Sequence, residues 1–291
     1  MKKEYIYAGI SIFMWSTVPT VSKLLLGAFT SFQVLCVSIL FAGLFLLCVN
    51  IITGNIKRLK NYKPKDFIIT VLIGLPGTFL YYVFYYTGTS MMLASQAFII
   101  NYLWPIMSVV FAWIILKEKM TLRKAIAIAM SFIGVIIVMG GDIASFNKDI
   151  LMGAVLCVLA AVSYGIFTAF NQKYCYDKRI SMMIFCFVSF ILTLVINTAS
   201  GAEFSINAAQ LLGLAWNGVF SIGTATTLWA IALESGKTAK ISNLAYITPF
   251  LSLVWTAIFL NEPISIYSII GLGVIVCGIF IQIKDKKSES K

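Results

Sequence analysis

Long apolar stretches, broken by short polar ones, run the length of this chain. Ten of them, at 5–26, 31–53, 66–87, 92–116, 122–140, 150–171, 181–199, 210–232, 239–260 and 265–283, hold about 17–25 mainly apolar residues each, enough for a helix to cross a bilayer. The connections between them are short and leave almost nothing for a soluble domain. The pattern therefore predicts an all-α polytopic membrane protein with ten transmembrane helices. The first run begins Met1-Lys2-Lys3, as a signal peptide does. It also carries Trp15, Pro19 and Lys23, and no clear A-x-A site follows it, so it reads as an uncleaved first span.

The charged positions orient these spans. With the N-terminus inside, the inner segments hold Lys2 and Lys3; Lys57, Arg58, Lys60, Lys63 and Lys65; Lys117, Lys119, Arg123 and Lys124; Lys173, Lys178 and Arg179; Lys237 and Lys240; and Lys284, Lys286, Lys287 and Lys291. Those are 20 of the 22 basic residues; Lys148 alone is in an outer loop, and Lys23 lies within the first span. Both termini are thus expected in the cytoplasm of a protein of the cell membrane.

The chain also repeats itself. A shift of 144 residues lays Tyr102, Pro105, Ser108, Leu116, Glu118 and Gly134 on Tyr246, Pro249, Ser252, Leu260, Glu262 and Gly278, and Gly74 on Gly218. Coincident Pro, Glu and Tyr say more than coincident Leu between apolar helices. An odd number of spans per copy inverts the second copy in the membrane. Accordingly Lys117, Lys119, Arg123 and Lys124 fall on Asn261, Pro263, Tyr267 and Ser268, and the basic loop 57–65 on 201–209, which has a Glu and no Lys. The expected organisation is two inverted five-helix repeats, 1–141 and 150–284, with a cytoplasmic tail, 285–291. Such halves can rock about a central site, which argues for a transporter.

Composition narrows the alternatives. The chain is 60% hydrophobic and 11% charged, with a mean hydropathy of +0.95; soluble domains carry about 25% charge. Its net charge of +11 is a topology signal, since the basic residues sit in short loops, and no nucleic acid partner is expected. The chain has no His, and its six Cys are scattered without ligand spacing. No metal, cofactor or enzymatic activity is expected: there is no HExxH, no buried carboxylate pair and no phosphate loop. The partners are a small-molecule substrate and the lipid bilayer, and a monomer is a plausible assembly.

The candidate chemistry lies within the spans. Asn101-Tyr102-Leu103-Trp104-Pro105 puts polar and amphipathic groups beside a proline that loosens its helix. Tyr102 and Pro105 are shared with the repeat, so they read as architecture, together with Tyr246 and Pro249. Asn101 and Trp104 are unshared, and are the better substrate candidates, with Tyr102 between them also in the expected lining. Tyr81 and Tyr82 lie deep enough to line a cavity, whereas Tyr85 and Tyr86 are expected in an aromatic belt at the outer end of the third span. Pro19 and Pro76 complete the candidate hinges. Trp15 lies near mid-membrane, where a belt Trp has no place, with Thr17 beside it. Lys23, roughly 10 Å further out, has two readings: a side chain snorkelling to the interface, or a counter-charge for a substrate carboxylate. Tyr164, Trp229 and Tyr246 are weaker lining candidates. Glu118 and Glu262, at membrane boundaries, read as caps of the following helix or partners of a nearby Lys.

This layout resembles the EamA-type members of the drug/metabolite transporter superfamily. The motifs after the fourth span of each half, Leu116-Lys117-Glu118-Lys119-Met120-Thr121 and Leu260-Asn261-Glu262-Pro263-Ile264-Ser265, carry the resemblance. Trp15-Ser16-Thr17, Asn101-Tyr102-Leu103-Trp104-Pro105, Gly140-Gly141-Asp142 and Thr248-Pro249 are similar to aromatic amino acid and paraquat exporters within it. The resemblance implies export of small metabolites, most readily aromatic or other neutral amino acids, by alternating access through a cavity between the repeats. The alternatives are an organic cation or drug exporter of the same fold, and a non-transporting membrane protein.

Overall fold

Proline positions decide where these helices are interrupted. In the computed structural model, which describes residues 3–140, 148–174, 176–201, 203, 205–234 and 244–289, α1 (Lys3–Ser16) and α2 (Val18–Leu26) part at Thr17, and Pro19 is the second residue of α2. Proline cannot serve the carbonyl four residues back, so it costs least in a helix's first turn. After α3 (Ser31–Ile52) and a 3-10 turn at Asn55–Asn61, α4 (Pro64–Gly74) joins α5 (Tyr81–Met91) through a π-helical segment, Leu75–Leu80, with Pro76 second in it. Pro105 takes the second place in α7 (Trp104–Leu116), once α6 (Ala94–Asn101) has ended. α8 (Leu122–Gly140), α9 (Lys148–Lys173) and α10 (Lys178–Ala199) follow. A second π segment, Trp216–Thr224, joins α11 (Ala208–Ala215) to α12 (Ala225–Glu234). Pro249 is second in α13 (Thr248–Leu260), behind a 3-10 turn at Ala245–Ile247, and α14 (Ile266–Glu289) is the last described helix.

Eight continuous helical runs among the described residues are long and apolar enough to cross a membrane: Lys3–Leu26, Ser31–Ile52, Pro64–Met91, Ala94–Leu116, Leu122–Gly140, Lys148–Lys173, Lys178–Ala199 and Ala208–Trp229. Two shorter apolar helices, Ala245–Leu260 and Ile266–Ile281, come after them. Large apolar side chains point outward along these runs, Ile52 (84% exposed), Ile136 (70%) and Leu212 (72%) among them. Water would not tolerate so much contiguous apolar surface, whereas a bilayer solvates it. The molecule is an all-α, multi-pass membrane protein.

The helices do not pack in chain order. α1 lies against α12 and α13, in the C-terminal half, while α9 lies against α5, α6 and α7, in the N-terminal half. Each half thus receives one helix from the other. α3 and α10 run along each other, as do α8 and α14. Small residues permit the closest crossings. A Cβ on Gly134 would stand 2.7 Å from the Gly271 carbonyl oxygen, and one on Gly271 would stand 2.6 Å from that of Gly134.

Side-chain caps tie the helix ends across the halves. Thr30 and Gln33 form a capping box at the start of α3, and the Gln33 amide donates to the Glu203 carbonyl at 3.0 Å. Asp177 caps α10, accepting from the Arg179 and Ile180 N–H groups at 3.0 and 3.2 Å, and the Arg58 guanidinium donates to its other oxygen. Burial pushes the Asp177 carboxyl up, but the Ile180 N–H, Arg58 and the Arg179 N–H together outweigh it and hold the group below its ordinary range. A depressed folded pKa contributes stability that is present above the ordinary carboxylate pKa and lost as pH falls through the lowered value. Asp177→Asn, which keeps the cap and removes the charge, should therefore lower Tm slightly in detergent at neutral pH and flatten the acid limb of the Tm–pH curve. An acid limb identical to that of the parent chain would contradict this account.

Candidate functional site

The break between α6 and α7 gathers aromatic rings around one amide. Asn101 is buried at the last position of α6, and its Nδ2 donates to the Tyr81 hydroxyl at 2.9 Å. Its Oδ1 has no protein partner. The Tyr81 ring meets Tyr82 edge-on at 4.8 Å, stacks with Tyr85 at 6.1 Å and lies 5.1 Å from Tyr164 of α9. Trp104 stands edge-on to Tyr164 at 5.3 Å. Tyr81, Tyr82, Asn101, Tyr102, Trp104 and Tyr164 therefore belong to one cluster, built by α5, the α6–α7 break and α9.

Tyr81, Tyr82 and Tyr164 are half-buried. Tyr85 and Tyr86 back these rings at 1% and 0% exposure. The expectation that they form an outer belt is thus corrected. The run Pro64–Met91 extends 28 residues, so its end lies beyond Tyr86 and both rings fall inside. An open surface cleft of about 300 Å³, lined by Trp113, Ile114, Lys117 and Glu118, sits at the carboxyl end of α7, away from the cluster.

Two tyrosines join this cluster to the C-terminal half. Pro249 has no N–H for the Ala245 carbonyl, whose oxygen accepts instead from the Thr248 N–H in a 3-10 turn and from the Tyr102 hydroxyl. The Tyr102 and Tyr246 rings lie 6.4 Å apart.

The remaining expected residues lie elsewhere. Trp15 packs on Trp229 at 5.2 Å and donates its indole N–H to the Ser221 carbonyl at 3.1 Å. The Thr17 hydroxyl accepts from the Trp216 indole, and Ser16 accepts from the Trp255 indole, both at 2.9 Å. Three second-half residues thus hold the interruption of the first span. Neither Trp216 nor Trp255 stands out in sequence, because an indole N–H aimed at a distant hydroxyl leaves no local pattern.

Lys23 is in neither aromatic cluster. Its ammonium donates to the carbonyls of Met92, Thr89 and Ser90 at 2.6, 2.7 and 3.4 Å, capping the carboxyl end of α5. Glu262 does not cap the helix that follows it. Its Oε1 accepts from the Ala94 N–H at 2.7 Å, and its Oε2 from the Ser95 N–H at 2.9 Å and the Ser95 hydroxyl at 2.6 Å, so it caps the start of α6. Glu118 lies 3.6 Å from the buried Lys124 ammonium. Gly141 and Asp142 of the Gly-Gly-Asp motif, with Lys237 and Lys240, lie outside the described residues. Among the described residues, no three His, Cys, Asp or Glu gather as metal ligands.

Compared with known proteins, the sequence profile described as the EamA-like transporter family matches residues 2–140 and again 151–283. A Clostridium kluyveri protein named an uncharacterized transporter is 28% identical, across 100% of this chain and 96% of its own length. The aromatic amino acid exporter YddG of Ancylobacter novellus is 20% identical over 62% of this chain and 63% of its own. A solved crystal structure matches with a TM-score of 0.71 at 18% identity, covering 96% of this chain and 95% of that one.

Proposed function

We propose, since the chain belongs to the EamA-like transporter family, that it carries amino acids, aromatic or other neutral ones, out of the cell by alternating access between two inverted halves. One observation carries this reading. The half-buried Tyr81, which lies among Tyr82 and Tyr164, binds the amide of Asn101, whose buried oxygen nothing in the protein satisfies. An unpaired buried acceptor is costly, and an N–H or ammonium group from a substrate would satisfy it. Aromatic faces stack on a ring and attract a cation. The exporter relative adds its printed name to the same side of the argument.

Ten spans in two inverted repeats are supported by backbone coincidences under the same shift of 144 residues. The π segment Leu75–Leu80 falls within Trp216–Thr224. Left-handed Lys117 (φ 58°) falls on left-handed Asn261 (φ 53°). The Glu118 N–H to Ala112 carbonyl bond, 3.4 Å, falls on that from Glu262 to Thr256, 3.3 Å. The tight Gly134–Gly271 crossing falls on Gly278 against the Ala127 carbonyl. The exchange of α1 and α9 gives two bundles whose facing surfaces meet at Tyr102, Ala245 and Tyr246. Substrate would enter as they part, with Pro19, Pro76, Pro105 and Pro249 at the flexing points. The one-sided basic loops support cytoplasmic termini in a protein of the cell membrane.

The organic cation reading is favoured by one observation: Lys23 spends its donors on carbonyls, so the aromatic cluster lacks a cation for a carboxylate. Counterflow in proteoliposomes separates the readings. Accumulation of labelled aromatic amino acid is expected. Accumulation of an organic cation alone supports the second reading, and flux of neither overturns the carrier. Lys23→Gln should lower Tm and leave KM unchanged; a raised KM would return the ammonium to the substrate.

A further inference from the structure

The turn between α5 and α6 is held by two charges from distant parts of the chain. Lys23 of α2 binds its carbonyls, and Glu262, beyond α13, binds its N–H groups and the Ser95 hydroxyl. Glu262 is 8% exposed, and all three of its bonds run to the N-terminal half. A buried carboxylate with three charge-assisted bonds is a strong local clamp. The second glutamate at the same repeat position behaves differently. Glu118 follows the same left-handed residue and makes the same backbone bond, but it stays within its own half, 3.6 Å from Lys124, and is 34% exposed. Two equivalent backbones thus hold their carboxylates in two different states, one clasping the opposite half and one not.

We propose that Glu262 is a latch: it joins the halves across the start of α6, and each transport cycle must release it. This rests on the carrier reading above. α6 is eight residues long, with the latch at Ala94 and the substrate amide at Asn101. Releasing Glu262 frees the amino end of the helix that presents Asn101, so the gate and the site are mechanically one element. A static brace in the same place would never separate from Ser95. The proposal differs from a purely structural role in that single respect.

Tethering tests it directly. Ser95→Cys with Glu262→Cys, bridged by a short thiol reagent cleavable by reductant, should lose at least about tenfold in proteoliposome flux and recover it on reduction. Each single-cysteine variant, treated alike, is the control for the native cysteines. Undiminished flux in protein shown by mass to be bridged overturns the latch. If the unbridged pair carries nothing, a second variant decides. Glu262→Gln keeps the side-chain shape and weakens the charge-assisted bonds. It should raise, about tenfold, the labelling of Phe98→Cys by a membrane-impermeant thiol reagent. Phe98 is 7% exposed and packs between Tyr85 and Tyr102, below the latch. Glu118→Gln should not raise it. Unchanged labelling in Glu262→Gln overturns the latch. Labelling from the cytoplasmic face only would instead overturn the orientation, and an absence of flux in the parent chain would overturn the carrier reading and the latch with it, the labelling then reporting only the hold of Glu262 on α6.

Discussion

Alanine at Gly218 should leave little folded protein. The added Cβ would lie 2.2 Å from the Ser38 carbonyl oxygen, 2.7 Å from the Phe41 Cβ and 3.1 Å from the Ala42 N. Two of these are backbone atoms inside α3, a helix that cannot bend out of the way over one residue. The only relief is separation of the Trp216–Thr224 segment from α3, along the length of their contact. Overpacking of a rotatable side chain costs about 1–3 kcal/mol, and a backbone collision belongs above that range. Gly74→Ala makes the comparison useful. Its Cβ would also meet an atom at 2.2 Å, but that atom belongs to the Phe185 ring. A ring can turn, so the loss there should be smaller. Gly9→Ala, with nothing within 4 Å, should be neutral. The yield of monodisperse protein and its Tm in detergent measure all three. A Gly218→Ala protein with the parent Tm would show that the two helices are not held at this distance.

Gly218 also illustrates what could be read from the chain. Its correspondence with Gly74 is legible as a repeat, because identity at a fixed offset needs no coordinates. The apolar runs are legible for the same kind of reason: lipid demands a minimum length, and composition alone meets it or fails it. The partners are not legible. That α1 packs with the C-terminal half and α9 with the N-terminal half leaves no trace in a pattern of apolar positions, since every helix here is apolar on most faces. Charges were legible by side and not by target. Lys23 is visible as an ionisable group within a span, but its three carbonyl acceptors are more than sixty residues away. Glu262 is further still, 167 residues from Ser95. The π segments are equally silent, because one extra residue per turn changes no residue type. Tyr102, Pro105, Tyr246 and Pro249 stood out as paired residues. What pairs them, a phenol taking up the carbonyl left by Pro249, required the fold.

Trp104→Ala should produce the largest loss of substrate affinity that leaves the protein folded. Trp104 is half-buried at the start of α7, with its ring T-shaped to those of Tyr164 and Tyr102 at 5.3 and 6.3 Å. Neither neighbour lies parallel to it, so no ring is stacked flat on its face. Losing such a face against a ring or an ammonium removes roughly 1.5–3 kcal/mol, a 10- to 100-fold rise in KM measured by counterflow. Trp104→Phe, which keeps an aromatic face, should restore most of it. Trp113→Ala is the control: that ring is 47% exposed toward the other end of the same helix, away from the cluster, and its loss should not move KM. Asn101→Ala acts differently, because it removes both the free acceptor and the donor that orients Tyr81. It should raise KM about tenfold. It should also fail to add to Tyr81→Phe, since the two side chains share one hydrogen bond and the second change finds it already broken. Full additivity would mean that Asn101 and Tyr81 meet the substrate separately. Unchanged KM in both Trp104→Ala and Asn101→Ala would move the site off the α6–α7 break and toward the Trp15–Trp229 pair, another half-buried aromatic surface among the described residues.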